Sequence, residues 1–467
     1  MNQTFLDYYR CPESFANFTL TGEPAKNSGF FLFGEDVLCY GSSSSCFLAP
    51  EVRPHLYDAL ADVAIDGPTL RLPFDPAEIT ENLRRERYLQ NPHGNDEKTS
   101  RQRALSNAYR FLRPALPVAI RKHLQRFHLN GWDKLPFPNW PVDRTVDTLL
   151  ERIFTLALQA HGVDRIPFIW FWPEGAPSCA IVTHDVETLS GRNFCSRLMD
   201  LDDSVGIKSS FQIVPERRYP IPTSFLDMIR EREFEINIHD LNHDGRLFDN
   251  REVFLRRAER INRYAKDFAA TGFRSAALYR NPEWFAALDF AYDMSIPSVA
   301  HLDPQRGGCC TVQPFFIGNI LELPLTTTQD YSLFHILNDY SLDLWKRQIA
   351  LITETHGLVS FIVHPDYVIA KRARVMYQAL LAYLAQLRAD GTLWIALPRE
   401  VNQWWRQRSQ MKLVGDGNRW RIAGEGKERA RLAFATLVGD KLAFTIAKAN
   451  LPERGLSRRD DGASLRG

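Results

Sequence analysis

The sequence lacks the features that mark secreted and membrane-spanning proteins. It has seven cysteines in 467 residues, an odd and scattered set without the spacing of a zinc site, which favours free thiols over a disulfide scaffold. No uninterrupted apolar run approaches the ~20 residues that a membrane-spanning helix needs. Residues 1–18 also lack the basic stretch and apolar core of a signal peptide. We therefore expect a cytoplasmic protein without a transmembrane segment.

Charge excess and phosphate-binding loops are missing as well. The formal net charge is +1, whereas general nucleic-acid binders carry a strong basic excess, so no nucleic-acid partner is expected. One stretch, 84–126, is rich in arginine. We interpret it as a solvated helical face, with a surface for an anionic polymer or a membrane as the alternative. No Gly-x-Gly-x-x-Gly loop follows an apolar run, which counts against a nucleotide site.

The chain is long enough for two or three domains, and a proline-rich stretch marks one boundary. Residues 135–141 contain three prolines. They follow an N-terminal domain of unknown role, 1–134, and open a regular middle domain, 135–408. A small β module, 409–453, and a charged tail, 454–467, complete the chain. The composition of the tail predicts disorder.

Short apolar runs alternate with helical segments in the middle domain. The predicted strands are 179–183, 208–214, 234–239, 273–279, 295–300, 320–326, 358–363 and 392–397. The predicted helices are 193–204, 223–232, 251–269, 341–356 and 370–388. Such alternation is typical of a parallel sheet with helical crossovers, and the number of units fits a (β/α) barrel, complete or deformed, better than an open sheet.

Polar side chains follow several of these strands at the same end. Active sites of (β/α) barrels lie at the carboxyl ends of the strands. The side chains found there are His184, Asp185, Glu187, His239, Asp240, His243, Arg280, His301, Asp303, Gln329, Asp330 and His364. Random placement would scatter such groups over both ends, so their collection at one end predicts a catalytic cup.

Two histidines and two carboxylates of this set suit a metal site. His239 and His243 are four residues apart, which puts both imidazoles on one face if the segment is helical. In an extended chain Asp185 and Glu187 point to one side, and His184 points to the other as a core residue. One carboxylate could hold the metal while the other takes a proton from water, an arrangement suited to hydrolysing an amide or ester. The alternative is that one of the paired histidines caps or hydrogen-bonds in the core.

Two further residues could handle substrate charge and protons. Arg280 is permanently charged and could hold a carboxylate, and Pro282 turns the chain after the strand so that the arginine could face inward. His364 follows a mostly apolar run and titrates near neutral pH, so it could protonate a leaving amine. The alternatives are a surface salt bridge for Arg280 and a simple strand end for His364.

In this order and spacing the motifs resemble those of NodB-type polysaccharide deacetylases. The resemblance covers roughly 180–366 and depends on four segments: Thr183-His184-Asp185-Val186-Glu187, His239-Asp240-Leu241-Asn242-His243, Arg280-Asn281-Pro282-Glu283 and Phe361-Ile362-Val363-His364. The residues outside it predict an N-terminal α+β domain and a small C-terminal antiparallel β module. The resemblance implies a deformed (β/α) barrel, for which the strand pattern gives seven or eight parallel strands. It also implies one divalent metal, usually zinc, and removal of acetyl groups from N-acetylated sugars, which is hydrolysis of an amide but not of a peptide bond.

The resemblance also assigns roles by position. Asp185 would be the catalytic base, Arg280 the residue that orients it, and His364 the general acid. His239 and His243 would bind the metal. The family's metal aspartate falls at Val186, so Glu187 would replace it as the third ligand.

Other departures leave the substrate and the activity open. Asp240 replaces a Ser or Thr, and Glu283 replaces a tyrosine. With no export signal, these departures favour a nucleotide-linked or lipid-linked sugar or a glycan precursor over wall polymer. One alternative is a catalytically weak or inactive glycan-binding module in a polysaccharide assembly pathway. Another is a different C–N amidohydrolase acting on a small cyclic amide. The sequence predicts no oligomeric state.

Overall fold

The N-terminal region combines helices with two small sheets. The computed structural model describes residues 2–45, 47–89, 129, 131–416 and 419–447. The first elements are α1 (Gln3–Tyr9), β1 (Phe18–Leu20), β2 (Gly29–Leu32), β3 (Leu38–Gly41), β4 (Ala64–Asp66), β5 (Thr69–Leu72) and α2 (Pro76–Arg84). β2 and β3 form an antiparallel hairpin, and β5 lies between β1 and β4. This arrangement confirms the predicted α+β character.

A long helix and a short strand lead into the barrel. α3 (Thr145–His161) starts where the Asp143 carboxylate accepts a hydrogen bond from the Thr145 backbone N–H, at 2.8 Å. Its apolar residues recur every three or four positions and are buried, as expected for an amphipathic helix. β6 (Arg165–Ile169) follows and pairs with a C-terminal strand, outside the barrel sheet.

Among the described residues, the barrel contains eight parallel strands and one antiparallel strand. They are β7 (Ser178–Val186), β8 (Ser210–Ile213), β9 (Glu235–His239), β10 (Gly272–Arg274), β11 (Tyr292–Asp293), β12 (Phe315–Ile317), β13 (Ile320–Glu322), β14 (Leu358–Ile362) and β15 (Leu393–Ile395). The order is β12-β13-β11-β10-β9-β8-β7-β14, with β15 on β7 and only β12 antiparallel. The predicted (β/α) barrel of seven or eight parallel strands is confirmed.

The barrel is deformed where β13 faces β14. The described residues show no strand ladder there. Two threonine hydroxyls bridge the gap instead: Thr326 Oγ1 donates to the Leu358 carbonyl and Thr327 Oγ1 to the Ser360 carbonyl, each at 2.7 Å. These bonds satisfy backbone groups of β14 that a neighbouring strand would otherwise pair.

Helices cover the outside of the barrel. They are α4 (Leu189–Asp203), α5 (Thr223–Glu231), α6 (Arg251–Asp267), α7 (Asp343–Thr353), α8 (Lys371–Ala389) and α9 (Pro398–Gln410). All nine residues of β7 are buried, as expected for a parallel strand covered on both faces. Alternate residues such as Val182 and Val186 pack in the cluster formed with the helices, which leaves Thr183 and Asp185 facing the other way.

One predicted strand is displaced. The sequence predicts a strand at 295–300, but the strand is Tyr292–Asp293. Beyond it, Pro297 is the only residue of this run that bridges to another strand segment within the described part of the chain, and its partner is Leu325. Two carboxylates explain the early end: Asp293 Oδ1 accepts from the Ser295 backbone N–H, and Glu322 Oε1 accepts from the Ile296 backbone N–H. Those amides are therefore unavailable to a ladder.

The C-terminal strands form two antiparallel hairpins, one more than the single hairpin that the sequence predicts within an antiparallel β module. β16 (Lys412–Asp416) pairs with β17 (Arg419–Ala423), and β18 (Leu432–Val438) pairs with β19 (Lys441–Ile446). β18 also pairs with β6, so this sheet includes a strand that precedes the barrel. The predicted tail, 454–467, and most of the arginine-rich stretch lie outside the described residues. Across the described ranges, no helix has the length and apolar character needed to cross a bilayer.

Candidate active site

The end of β7 separates its polar side chains onto two faces. Asp185 is 3% exposed and faces the inside of the barrel with Glu187. His184 faces outward and is fully buried, with Nδ1 3.0 Å from the Val363 carbonyl and Nε2 3.2 Å from the Asp202 carboxylate. His184 is therefore a core histidine, as the alternation along an extended strand predicts.

The two paired histidines meet through a turn and not through a helix. His239 is the last residue of β9, and the chain then turns sharply because Asp240 and His243 both have left-handed backbone conformations, with φ of 56° and 53°. The two imidazole centroids lie 4.8 Å apart. The structure thus brings His239 and His243 together, although the helical spacing that suggested the pair is absent.

Glu187 reaches both histidines. Its Oε1 lies 2.8 Å from His243 Nε2 and 3.6 Å from His239 Nε2, and one ligand atom from each residue lies within 4.8 Å of the other two. Tetrahedral zinc with bonds of ~2.0–2.2 Å separates its ligand atoms by roughly 3.5 Å. The spacing of these three atoms therefore fits a divalent metal after small adjustments.

The hydrogen bonding of the histidines fits the same conclusion. His239 Nδ1 lies 3.2 Å from the Arg274 carbonyl, which fixes the proton on Nδ1 and leaves the Nε2 lone pair free. The Nε2 atoms of His239 and His243 are buried and lack a hydrogen bond of regular geometry among the described residues. Buried polar atoms normally have a partner, and a cation would supply it here. Two imidazole nitrogens and one carboxylate oxygen are a common ligand set for catalytic zinc.

His364 and Asp185 lie beside these three residues. We call the site formed by all five residues the cup. His364 Nε2 lies 3.3 Å from Glu187 Oε1, and Asp185 Oδ2 lies 3.7 Å from His239 Nε2. Five of the six predicted site residues, Asp185, Glu187, His239, His243 and His364, therefore converge. The sixth, Arg280, does not.

Arg280 binds a carboxylate, but not that of Asp185. Its Nε donates to Glu86 Oε2 at 2.7 Å, Nη2 also contacts Glu86, and Nη1 donates to the Leu278 carbonyl at 2.8 Å. The prediction that Arg280 orients the base does not agree with this geometry. The chain between β10 and Arg280 makes a short helical turn with Ala277 and Leu278 in left-handed conformations, which directs Arg280 toward the N-terminal region.

Arg274 is the arginine that contacts Asp185. Its Nη1 lies 2.7 Å from Asp185 Oδ1 and 2.7 Å from Thr183 Oγ1, and its side chain is fully buried. Arg274 is in register with His239 on the neighbouring strand, so it faces the inside of the barrel. The signal available in the sequence was an arginine within a short apolar strand, since a buried guanidinium requires an acidic partner.

Asp330 is a second residue whose role the sequence did not reveal. Its Oδ1 lies 2.7 Å from His364 Nδ1, and its Oδ2 accepts from the His364 backbone N–H, also at 2.7 Å. Asp330 is fully buried. The carboxylate fixes the ring so that Nε2 points at Glu187.

The charges of the cup support one another. Burial by itself would raise the pKa of Glu187. The neighbouring His243, His239 and His364 have a larger opposite effect, so the pKa is well below its usual value. Burial likewise opposes the charged form of Asp185, yet Arg274, His239 and His364 bring its pKa below normal. Burial would lower the pKa of His364, but Asp330 and Glu187 raise it well above normal. Ionised Glu187 and Asp185 and a protonated His364 therefore coexist in the cup.

No model of a known protein family matches the sequence, and a search of curated proteins finds no similar one. Solved structures do match. The inferred polysaccharide deacetylase of Mycobacterium smegmatis is 15% identical, with a TM-score of 0.40, over 51% of this chain and 93% of that one. A mutant of the Bacillus subtilis peptidoglycan deacetylase PdaC is 10% identical, with a TM-score of 0.32, over 50% and 93%.

A third similar structure is described as a pseudoenzyme. The CE4 family pseudoenzyme of Bacillus anthracis is 12% identical, with a TM-score of 0.30, over 48% of this chain and 65% of that one. Each of the three likenesses covers about half of this chain.

Proposed function

We propose that this protein is a metal-dependent N-deacetylase that removes acetyl groups from an amino sugar or glycan precursor. The observation that carries the proposal is the convergence of Glu187, His239 and His243 on one metal-sized point, with Asp185 and His364 beside it. Two imidazoles and a carboxylate leave ligand positions open for water and substrate. We assign zinc, because two histidines and one glutamate are a known ligand set of catalytic zinc.

A divalent ion in this site would act as a Lewis acid toward the amide carbonyl and the attacking water. The proton of that water goes to the Asp185 carboxylate, which Arg274 holds in its charged form. Arg274 also bonds Thr183, so the guanidinium is fixed and Asp185 cannot rotate away without breaking a buried charge pair. Arg274 is thus a positioning residue, and Asp185 is the base.

His364 serves the other half of the reaction. When the carbon–nitrogen bond breaks, the leaving amine needs a proton, and His364 Nε2 carries one because Asp330 stabilises the imidazolium. One water is consumed, its oxygen becomes part of acetic acid, and the sugar leaves as a free amine. The proton accepted by Asp185 and the proton donated by His364 balance this step.

Acetate release from N-acetylglucosamine, N,N′-diacetylchitobiose and UDP-N-acetylglucosamine by the zinc-loaded protein tests the proposal. We expect turnover by the wild type and a loss of about 10²–10⁴-fold in the Asp185→Asn variant, because the base is removed while the shape is kept. Asp227→Asn, an exposed aspartate on α5 whose side chain is 47% exposed, is the matched control and should keep full activity. Turnover that is equal in the wild type and Asp185→Asn, or no stoichiometric metal in the purified protein, would contradict the proposal.

A further inference from the structure

The loop after β8, residues 214–222, lies at the edge of the cup. We call this edge the rim. Arg218, in this loop, donates from Nε to the backbone carbonyl of Glu187 at 2.9 Å. Tyr219 donates its hydroxyl to the Val186 carbonyl at 2.5 Å and accepts from the Val214 backbone N–H at 3.1 Å. The loop is therefore fastened to the segment that carries the candidate metal ligand Glu187.

The same loop is also fastened to the segment that carries His243. The Glu216 backbone N–H donates to the Leu241 carbonyl at 3.0 Å. Arg217, the next residue, has a left-handed backbone with φ of 67°, which is uncommon for a residue with a side chain. Arg217 and Arg218 are both exposed. The fold thus holds two adjacent arginines in a fixed, unusual turn beside the cup.

Two acidic residues near this rim have arginine partners. Asp244 receives two bonds of 2.7 Å from Arg257, and Glu216 is paired with Arg260. Both partners come from α6. Among the described residues, no ion pair involves Arg217 or Arg218. On the part of the rim that the structure describes, two guanidinium groups next to Glu187 therefore have no carboxylate within ion-pair distance.

We infer that Arg218 and Arg217 bind a phosphate group of the substrate, so that the substrate is an N-acetylated sugar carrying a phosphate or diphosphate and not a neutral polymer. The inference rests on the proposed deacetylase function. Guanidinium groups bind phosphate oxygens through paired N–H donors. Two adjacent guanidinium groups match the charge of a phosphate ester better than the single charge of a carboxylate. The Arg218 contact to Glu187 places this anion site directly beside the metal site.

Binding measurements with defined sugars test the inference independently of turnover. The ligands for isothermal titration calorimetry are N-acetylglucosamine, N-acetylglucosamine 1-phosphate, UDP-N-acetylglucosamine and N-acetylglucosaminuronic acid. We expect the two phosphorylated sugars to bind about 10-fold or more tightly than the neutral sugar, since charge-assisted bonds to phosphate contribute at least this factor. The preference should weaken as salt is raised, because exposed charges are screened.

Arginine variants test which residues cause the preference for phosphorylated over neutral sugars. Arg218→Gln, alone and with Arg217→Gln, should reduce the ratio of phosphorylated to neutral affinity toward one. The ratio is used because it is insensitive to a general loss of binding. The control is Arg256→Gln on the outer face of α6, a side chain that is 64% exposed and should leave the ratio unchanged.

The outcomes separate this inference from the proposed function. Equal binding of phosphorylated and neutral sugars, or a preference that survives in both arginine variants, would overturn the phosphate site while acetate release could still stand. If N-acetylglucosaminuronic acid binds as tightly as the phosphorylated sugars, the site recognises any anion, and the choice of phosphate is overturned. An arginine-dependent preference without any acetate release would retain the phosphate site and reject the deacetylase. UDP-N-acetylglucosamine binding no tighter than the 1-phosphate would assign recognition to the phosphate alone, and tighter binding would add the nucleotide.

Discussion

Arg274 Nη1 lies 2.7 Å from Asp185 Oδ1 across the inside of the barrel. The same nitrogen contacts Thr183 Oγ1, so the guanidinium joins two residues of β7 to β10. Neither partner is more than 5% exposed at the side chain. In the proposed mechanism, this pair supplies the orientation that the motif resemblance assigned to Arg280. Arg274 lies on a strand, where the ladder with β9 fixes its position.

Replacing Arg274 should damage turnover more than substrate binding. In Arg274→Gln, we expect kcat to fall about 100-fold with little change in KM, since a misplaced base costs this much while the sugar contacts persist. Arg274→Lys keeps a charge and should recover part of the loss. Steady-state acetate release measures both constants. A proportional rise in KM with unchanged kcat would reject the positioning role.

Replacing Arg280 should instead destabilise the fold. The Arg280 side chain is fully buried against Glu86, which is itself 4% exposed. Arg280→Gln leaves that carboxylate buried without its charge partner, a change that costs about 3–5 kcal/mol of unfolding free energy. Urea unfolding measures this loss. The double variant Arg280→Met, Glu86→Leu removes both charges and should recover much of it; no recovery would show that the ion pair is not the cause.

The sequence predicted the location of the cup better than its internal connections. Carboxyl ends of parallel strands share one edge, so Asp185, His239 and His364 could be assigned to one site without knowing the contacts. Arg280 could not be assigned correctly, because its partner Glu86 is 194 residues away in a different part of the chain. His243 joins the site through a left-handed turn that its own residue types do not suggest.

Asp330 shows why second partners are hard to predict. Its position after β13 was visible in the sequence, but its contact with His364 depends on how the chain crosses the gap between β13 and β14.

In Asp330→Asn, the amide cannot stabilise a protonated His364, so kcat should fall about 10²–10⁴-fold. Metal content should stay unchanged because Asp330 is not among the candidate ligands. Loss of zinc from this variant would point to a structural collapse of the cup; Asp339→Asn, on the same loop region, serves as its control.

Stability should fall as pH rises from about 4.5 to 7, in part because of Glu235. Burial raises the pKa of Glu235 to about 7 from a usual 4.5, against the opposing effects of the Arg399 backbone N–H and Asn237. The folded protein therefore holds this proton more tightly than the unfolded chain does. Its contribution is fully present below pH 4.5 and is lost by pH 7, which amounts to roughly 3 kcal/mol.

Urea unfolding of Glu235→Gln at a series of pH values checks this contribution. The slope of unfolding free energy against pH between 4.5 and 7 should be smaller in Glu235→Gln than in the wild type, because the amide does not titrate. Glu231→Gln, an exposed glutamate on α5, should keep the wild-type slope. An identical slope in all three proteins would exclude Glu235 as a source of the pH dependence.

The reach of Glu187 decides whether the cup holds a metal. Val186 occupies the position of the usual metal aspartate in the motif and is buried in the core, so the carboxylate has to come from one residue later. Glu187 Oε1 already lies 2.8 Å from His243 Nε2. Glu187→Asp shortens the side chain by one methylene and should withdraw the oxygen by ~1.5 Å, well outside the ±0.2 Å tolerance of a zinc ligand.

We therefore expect Glu187→Asp to bind zinc at least about 10-fold more weakly than the wild type, and His243→Ala to lose more. Zinc content after dialysis against a graded series of chelator concentrations, read by mass spectrometry, gives the order. His55→Ala, an exposed histidine of the N-terminal region, should bind zinc like the wild type. If Glu187→Asp and Glu187→Ala both keep wild-type affinity, the third ligand is not Glu187. Asp185, whose Oδ2 lies 3.7 Å from His239 Nε2, would then be the carboxylate left to bind the metal, and another group would have to serve as the base.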